Sequence, residues 1–196
     1  MDHATEMGGT APPSPVFFLK PPQAVVGEGA QVPWPLGSSL LHHEVELAAI
    51  IGVTAREVDE EDALSVVAGL AVAVDLTARD LQAAARKEGL PWLASKGFNG
   101  SCPLSRPRCI EDCPPWNEVR LELWVNGNLT QSGCCGEMVH GLPKLIASAS
   151  RLFTLRPGDI LLTGTPSGIG PLEPGAVVRA RASDVGEITF TVGPKR

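Results

Sequence analysis

A chain of 196 residues with a net charge of −6 is long enough to bury a sizeable core in one domain. Its scattered basic residues exclude a phosphate-tracking, nucleic-acid-binding surface. No apolar stretch approaches the roughly 20 residues that span a bilayer, and Met1 to Thr10 has neither an apolar signal core nor an Arg-rich transit pattern, so no membrane partner is expected.

The 21 Gly and 18 Pro, set among short apolar runs, favour a β-rich fold with many turns. Five cysteines without a secretory signal read as reduced thiols of an intracellular compartment. At the start, His3 and Glu6 stand at i and i+3. On one turn of helix the carboxylate would orient the imidazole and raise its basicity, as a general base requires; two unrelated exposed residues give the same signature. Gly8 to Pro15 reads as a loop, and Val16 to Lys20 as a short strand stopped by Pro21-Pro22.

The apolar run from His42 to Gly52 reads as a strand with Glu44 and Glu46 on one face and His43 and Val45 on the other. Two carboxylates side by side on an apolar sheet repel and lose solvation. One must hold its proton unless a cation lies between them. A divalent metal is the simplest remedy, and a solvated strand end is the alternative. After a charged connection from Arg56 to Ala63 that starts a short helix, Gly69 to Asp75 reads as a second strand. Leu70, Val72 and Val74 share one face; Ala71, Ala73 and Asp75 share the other. Small residues leading to Asp75 leave room beside that carboxylate, and a third oxygen ligand there suits Mg²⁺ or Mn²⁺ better than zinc.

Thr77-Ala78-Arg79-Asp80 has the form of a helix start, with the helix closed by Gly89 and Pro91. Arg79 and Gln82, at i and i+3, face either the same pocket or solvent. Lys96, flanked by Trp92 and Phe98, is either a surface amine or a cation drawn into a cavity. Cys109 and Cys113 lack the second half of a zinc site. Val119 to Val125 alternates into Asn126-Gly127, a hairpin signal, and Leu129 to Gln131 begins the return. Met138 to Phe153 has helical spacing, and Ile160 to Gly164 leads into the bend Thr165 to Gly170. Backbone N–H groups and a threonine hydroxyl in such a bend can hold a carboxylate; a plain tight loop looks the same. Ala176 to Val192 alternates as a hairpin around Asp184-Val185-Gly186.

Together, Leu41-His42-His43-Glu44-x-Glu46-Leu47, Asp75-Leu76-Thr77-Ala78-Arg79-Asp80, Pro91-Trp92-x-x-x-Lys96 and Gly158-Asp159-x-x-x-Thr163-Gly164-Thr165-Pro166-x-Gly168-x-Gly170-Pro171 closely resemble the fumarylacetoacetate hydrolase family. The match is closest to its mitochondrial acylpyruvase and oxaloacetate decarboxylase branch. The resemblance covers nearly the whole chain. It implies a β-rich α+β roll or sandwich with short flanking helices, a single catalytic domain over residues 1–196, and a homodimer. It implies that Glu44, Glu46 and Asp75 bind Mg²⁺, with Mn²⁺ as a substitute. Lys96, Arg79, Gln82 and Thr165, with Lys20, would line the site of a small 2-oxo acid, and His3 held by Glu6 would activate water. The implied chemistry is acylpyruvate hydrolysis or oxaloacetate decarboxylation, with oxaloacetate tautomerisation and a catalytically weak metal-binding relic as alternatives. Location would be mitochondrial by resemblance, or cytoplasmic. The chain departs from the family in beginning at Met1 where a first strand should end, which would leave the His3/Glu6 lid without its anchor and weaken hydrolysis more than decarboxylation. Cys134 to Met138 also replaces a more hydroxyl-rich segment. No long apolar groove is evident in the sequence.

Overall fold

A computed structural model describes residues 13–195; the segment carrying His3 and Glu6 lies outside them. In chain order its strands begin with β1 (Val25–Val26), β2 (Gln31–Val32), β3 (Leu41–His43), β4 (Val45–Ile51), β5 (Val67–Val74) and β6 (Thr77–Ala78). Helices α1 (Arg79–Glu88) and α2 (Leu93–Lys96) follow, then β7 (Cys102–Pro103), β8 (Arg108–Cys109), β9 (Arg120–Val125) and β10 (Asn128–Cys134). Helix α3 (Leu142–Leu152) precedes β11 (Ile160–Leu162), β12 (Gly170–Leu172), β13 (Val177–Ala182) and β14 (Gly186–Val192). The strands form sheets of order β10-β9-β13-β14-β2, β11-β4-β5-β8 and β12-β3-β6, plus the pair β1-β7. This is the β-rich α+β fold that the composition and the resemblance imply.

The core lies between the first two sheets. Leu47, Ile51, Leu70 and Val72 from β4 and β5 meet Val178, Ile188 and Phe190 from β13 and β14, all fully or almost fully buried. Each such side chain contributes about 1.5–3 kcal/mol of burial free energy. The other face of β4 and β5 is different in kind. Ala48, Ala71 and Ala73 join Ala24 and Cys102 in a small-residue cluster, so the backbone of β7 can pack close to β5. The pairing of Glu46 with Ala73, and of Ala48 with Ala71, puts Glu46 on this small-residue face. The Asp75 N–H donates to Glu44 O at 2.7 Å and sets Asp75 beside the strand break that carries Glu44.

Several local expectations change. Val16 to Lys20 is extended but joins no sheet among the described residues; Lys20 and Phe18 fasten it through their side chains instead. Thr77 does not cap α1. It is fully buried in β6, Ala78 occupies the cap position without a side-chain bond, and Asp80 instead takes the hydroxyls of Ser38 and Ser39 at 2.6 and 2.9 Å. Helix α1 ends as expected at Gly89 (φ +67), with Leu90 N–H returning to Ala85 O. The connection before Leu64 forms only a 3₁₀ turn, Ala63–Val66. The hairpin of β9 and β10 turns through Asn126 (φ +50) and Gly127 (φ +82), both positive as a type I′ turn demands.

Two glycines with positive φ give contrasting expectations. A Cβ on Gly127 meets nothing within 4 Å, whereas one on Gly168 (φ +93) would lie 2.3 Å from Thr130 O. Gly127→Ala should therefore cost about 1–2 kcal/mol from the left-handed backbone alone. Gly168→Ala should cost distinctly more. Denaturant titration of the two variants checks the order.

Candidate active site

Glu44, Glu46 and Asp75 are 4, 5 and 1 % exposed, and one carboxylate oxygen from each lies within 4.8 Å of the others. Glu44 and Glu46 share a face although Glu44 itself falls in the gap between β3 and β4. Three cations surround the trio. Lys96, at the end of α2, directs Nζ to Glu44 Oε2 at 2.8 Å, Asp75 Oδ2 at 2.6 Å and Thr77 Oγ1 at 2.6 Å. Arg79, at the start of α1, pairs with Glu44 Oε1 and donates from Nη1 to Gln82 Oε1 at 2.6 Å. Lys20 lies 2.7 Å from Asp75 Oδ1 and donates to Ser101 O at 2.9 Å and to the carbonyl of Lys96.

Lys96 is thus drawn inside, but its aromatic neighbour is Phe18, with Nζ 5.0 Å from the ring centroid, rather than Phe98. Phe18 in turn packs on Trp92 at 6.0 Å. Gln82 is the one buried residue of α1, and its amide meets Arg79 as the i, i+3 spacing implies. The amine of Lys20 points at Asp75 and at backbone carbonyls. Just ahead of the expected bend, Gly164 N–H donates to Glu46 Oε2 at 2.6 Å, so a carboxylate of the chain itself is held there.

A cleft of about 990 Å³ opens at this cluster. Glu46, Lys20, Cys102 and Thr163 to Pro166 line one end, and Phe17, Met138, Leu145, Phe153 and Leu155 line the rest. A largely apolar groove is therefore present, contrary to the sequence reading; its walls come from segments over a hundred positions apart. Glu44, Asp75, Arg79, Gln82 and Lys96 sit behind the wall rather than in it.

The charges are unequally settled. Burial favours the neutral form of Glu44, but Lys96 and Arg79 outweigh it and hold the carboxyl at about 2. Among the described residues, Glu46 has no side-chain cation paired to it. Burial first, and then the negative charges of Asp75 and Glu44, push it up to about 8. Burial lowers Lys96, but Asp75 and Glu44 more than restore it, so it stays a cation. Cys102 is pushed up to about 12 by burial, which leaves an unreactive thiol in the wall. A divalent cation fits this arrangement: the donors are all oxygen, and among the described residues Glu46 has no cation paired to it.

Thr77, Ser101 and Gln131 were not legible as site residues. Thr77 matches a capping pattern, Ser101 carries no motif, and Gln131 meets His43 and Thr165 across 88 and 34 positions.

A buried all-oxygen carboxylate cluster beside a cleft is the arrangement expected of a metal-dependent enzyme. The fumarylacetoacetate (FAA) hydrolase C-terminal family matches residues 1–193, and the chain belongs to that family. It is 42 % identical over 191 residues to the mitochondrial oxaloacetate tautomerase FAHD1 of Bos taurus, covering 97 % of this chain and 86 % of that protein. It is 41 % identical over 178 residues to the mitochondrial oxaloacetate decarboxylase of Dictyostelium discoideum, covering 90 % and 82 %. Among solved structures, fumarylpyruvate hydrolase of Pseudomonas aeruginosa in complex with Mn²⁺ and pyruvate superposes with a TM-score of 0.93 at 33 % identity, covering 99 % of this chain and 85 % of that one.

Two predictions follow from the carboxylates. Because the folded pKa of Glu46, about 8, lies above its ordinary 4.5, the stability it confers is complete below pH 4.5 and is lost as pH rises through 8. A cation competes with that proton. The rise in melting temperature on adding Mg²⁺ should be larger at pH 8.5 than at pH 6.5, about two units apart, and Glu46→Gln should flatten the metal-free loss over that window. Asp75→Ala should abolish the Mg²⁺-dependent rise; an undiminished rise would place the ion elsewhere.

Proposed function

We propose that this chain is a divalent-metal-dependent enzyme of 2-oxo acids that cleaves acylpyruvates to pyruvate and a carboxylic acid, decarboxylates oxaloacetate, or does both. The observation that carries the reading is the buried trio Glu44, Glu46 and Asp75 with its three cations, at the head of a cleft. The relatives named for oxaloacetate and fumarylpyruvate support it.

In this reading the three carboxylates hold Mg²⁺, with Mn²⁺ as a substitute. When bound, the ion supplies positive charge and Lewis acidity toward the keto oxygen and carboxylate of a 2-oxo acid. The residues of the chain do the rest. Lys96, fixed by Glu44, Asp75 and Thr77, adds positive charge where the keto oxygen becomes negative as the bond to the neighbouring carbon breaks. Thr165 orients the ligand from the wall, while Arg79 and Gln82, locked to each other behind it, and Lys20, on the Asp75 side, add charge and hold the carboxylates. The apolar walls exclude water and leave room for an acyl substituent beyond what oxaloacetate needs. For hydrolysis, His3 oriented by Glu6 takes a proton from water, whose oxygen bonds to the distal carbonyl carbon. The C–C pair leaves with pyruvate and is protonated there. Decarboxylation releases the same electron pair with loss of CO₂ and needs no such water.

A second reading, enol–keto tautomerisation of oxaloacetate, is favoured by the bovine relative. It needs only a proton moved at that carbon. A homodimer of single-domain chains and a mitochondrial location belong to the same proposal, by resemblance.

A panel of 2-oxo acids with and without Mg²⁺ separates the readings: pyruvate release marks cleavage or decarboxylation, and a change in ultraviolet absorbance of oxaloacetate without pyruvate marks tautomerisation. Metal binding with no turnover of any would leave only the relic. Lys96→Gln should lower turnover by roughly 10²–10³-fold while leaving a Mg²⁺-dependent rise in melting temperature. Turnover within tenfold of the parent would remove Lys96 from the chemistry.

A further inference from the structure

Gln131, on β10, is 1 % exposed, and every hydrogen-bonding position of its amide is filled. Oε1 meets His43 Nδ1 at 2.8 Å and the Val45 N–H at 3.1 Å. Nε2 reaches Thr165 Oγ1 at 2.8 Å and Pro166 O at 3.0 Å. Oxygen and nitrogen of a side-chain amide look alike, but backbone groups at both ends distinguish them here. The Val45 N–H can only donate, and the Pro166 carbonyl can only accept. The proton pattern of the chain is therefore fixed. His43 carries its proton on Nδ1, and the oxygen of Thr165 receives one from Gln131.

That direction matters for Thr165. A hydroxyl that accepts from a neighbouring amide sends its own O–H elsewhere, and Thr165 lines the cleft next to Gly164, whose N–H holds Glu46. Close packing sets the bend against β10: a Cβ on Gly133 would lie 2.6 Å from Pro166 Cβ, and one on Gly168 2.3 Å from Thr130 O. Thr165 cannot drift from Gln131 without parting these surfaces.

We propose that Gln131 is a positioning residue that fixes the Thr165 hydroxyl as a hydrogen-bond donor to an anionic oxygen in the cleft. Resting on the 2-oxo acid reading above, that oxygen belongs to the ligand's carboxylate. Gln131 itself touches no ligand; it acts by setting which way a proton points.

The probe is oxalate with saturating Mg²⁺, its affinity measured by calorimetry on the full chain, with melting curves confirming that each variant is folded. Thr165→Ser keeps the hydroxyl and should bind within about twofold of the parent, whereas Thr165→Val should bind about tenfold more weakly. Gln131→Glu keeps the shape and the acceptor for His43 and Val45 but presents a carboxylate oxygen to Thr165. The hydroxyl should then turn to it, and oxalate should weaken by about tenfold or more at pH 8, recovering at lower pH as the new carboxyl gains a proton. Gln131→Met, uncharged, should also weaken oxalate, since it removes the donor to Thr165 together with the bonds to His43, Val45 and Pro166. Added to Thr165→Val, either Gln131 substitution should cost little more, because the donor it directs is already gone. In oxaloacetate turnover the Gln131 variants should raise KM by more than they lower kcat. Folded Gln131 variants that bind oxalate like the parent, or losses that simply multiply with Thr165→Val, would overturn the proposal. Unaltered binding by Thr165→Val would overturn it too, while leaving the 2-oxo acid reading in place. A parent protein that binds no oxalate at millimolar concentration would instead sink that reading.

Discussion

Three carboxylates with oxygens within 4.8 Å of one another do not stay ionised in an apolar interior without compensation, and the architecture around β4 and β5 follows from supplying it. Leaving one buried charge unpaired costs about 3–5 kcal/mol, a large share of the stability of any domain. The compensation is gathered from three separate segments. Lys20 comes from the extended stretch before β1, Arg79 from the first turn of α1 and Lys96 from the end of α2. Each brings its segment with it. Helix α1 buries only Gln82, so the ties that hold it are polar: Arg79 to Glu44 at its start and Asp80 to Ser38 and Ser39. The stretch Val16 to Lys20, which no sheet pairs, is pinned through Lys20 at one end and through Phe18 over Lys96.

The small-residue face is the geometric counterpart of this charge cluster. Ala48, Ala71 and Ala73 keep side chains off the sheet where Glu46 projects. A Leu or Val at any of them would fill the space the acids need. The opposite face of the same strands is packed by Leu47, Val72 and their partners, and it holds the backbone of β4 and β5 stiff. One pair of strands thus serves as core on one side and as site on the other.

Much of this was legible from period-two alternation. The faces of β4 with Glu46 and of β5 leading to Asp75 follow from alternation alone, whereas the single strand expected from His42 to Gly52 breaks at Glu44 into β3 and β4 of different sheets. The i, i+3 spacing of Arg79 and Gln82 likewise announces their contact. What escaped has a common cause. Thr77 satisfies a local capping pattern, yet burial beside Lys96 and Asp75 gives its hydroxyl a better use. The short strand expected at Val16 to Lys20 had the right residues and no partner strand among the described residues. Gln131 and the apolar cleft are made by segments distant in the chain, and no local pattern encodes a contact across 88 positions. The carboxylate contact after β11 comes from Gly164, just ahead of the bend expected at Thr165 to Gly170, and what it holds is the chain's own Glu46.

That last bond ties two binding events into one. The bend is anchored to β4 by Thr163, which gives its N–H and its hydroxyl to Leu47 O at 3.1 and 3.0 Å, and by Gly164 on Glu46. In the proposed reading, an ion that drew Glu46 into place would also set the bend, and a ligand that ordered the bend would also steady Glu46. Thermodynamic reciprocity makes the two effects equal: whatever factor the metal adds to ligand affinity, the ligand adds to metal affinity. Neither constant of such a site is a property of one partner alone, and each has meaning only at a stated concentration of the other.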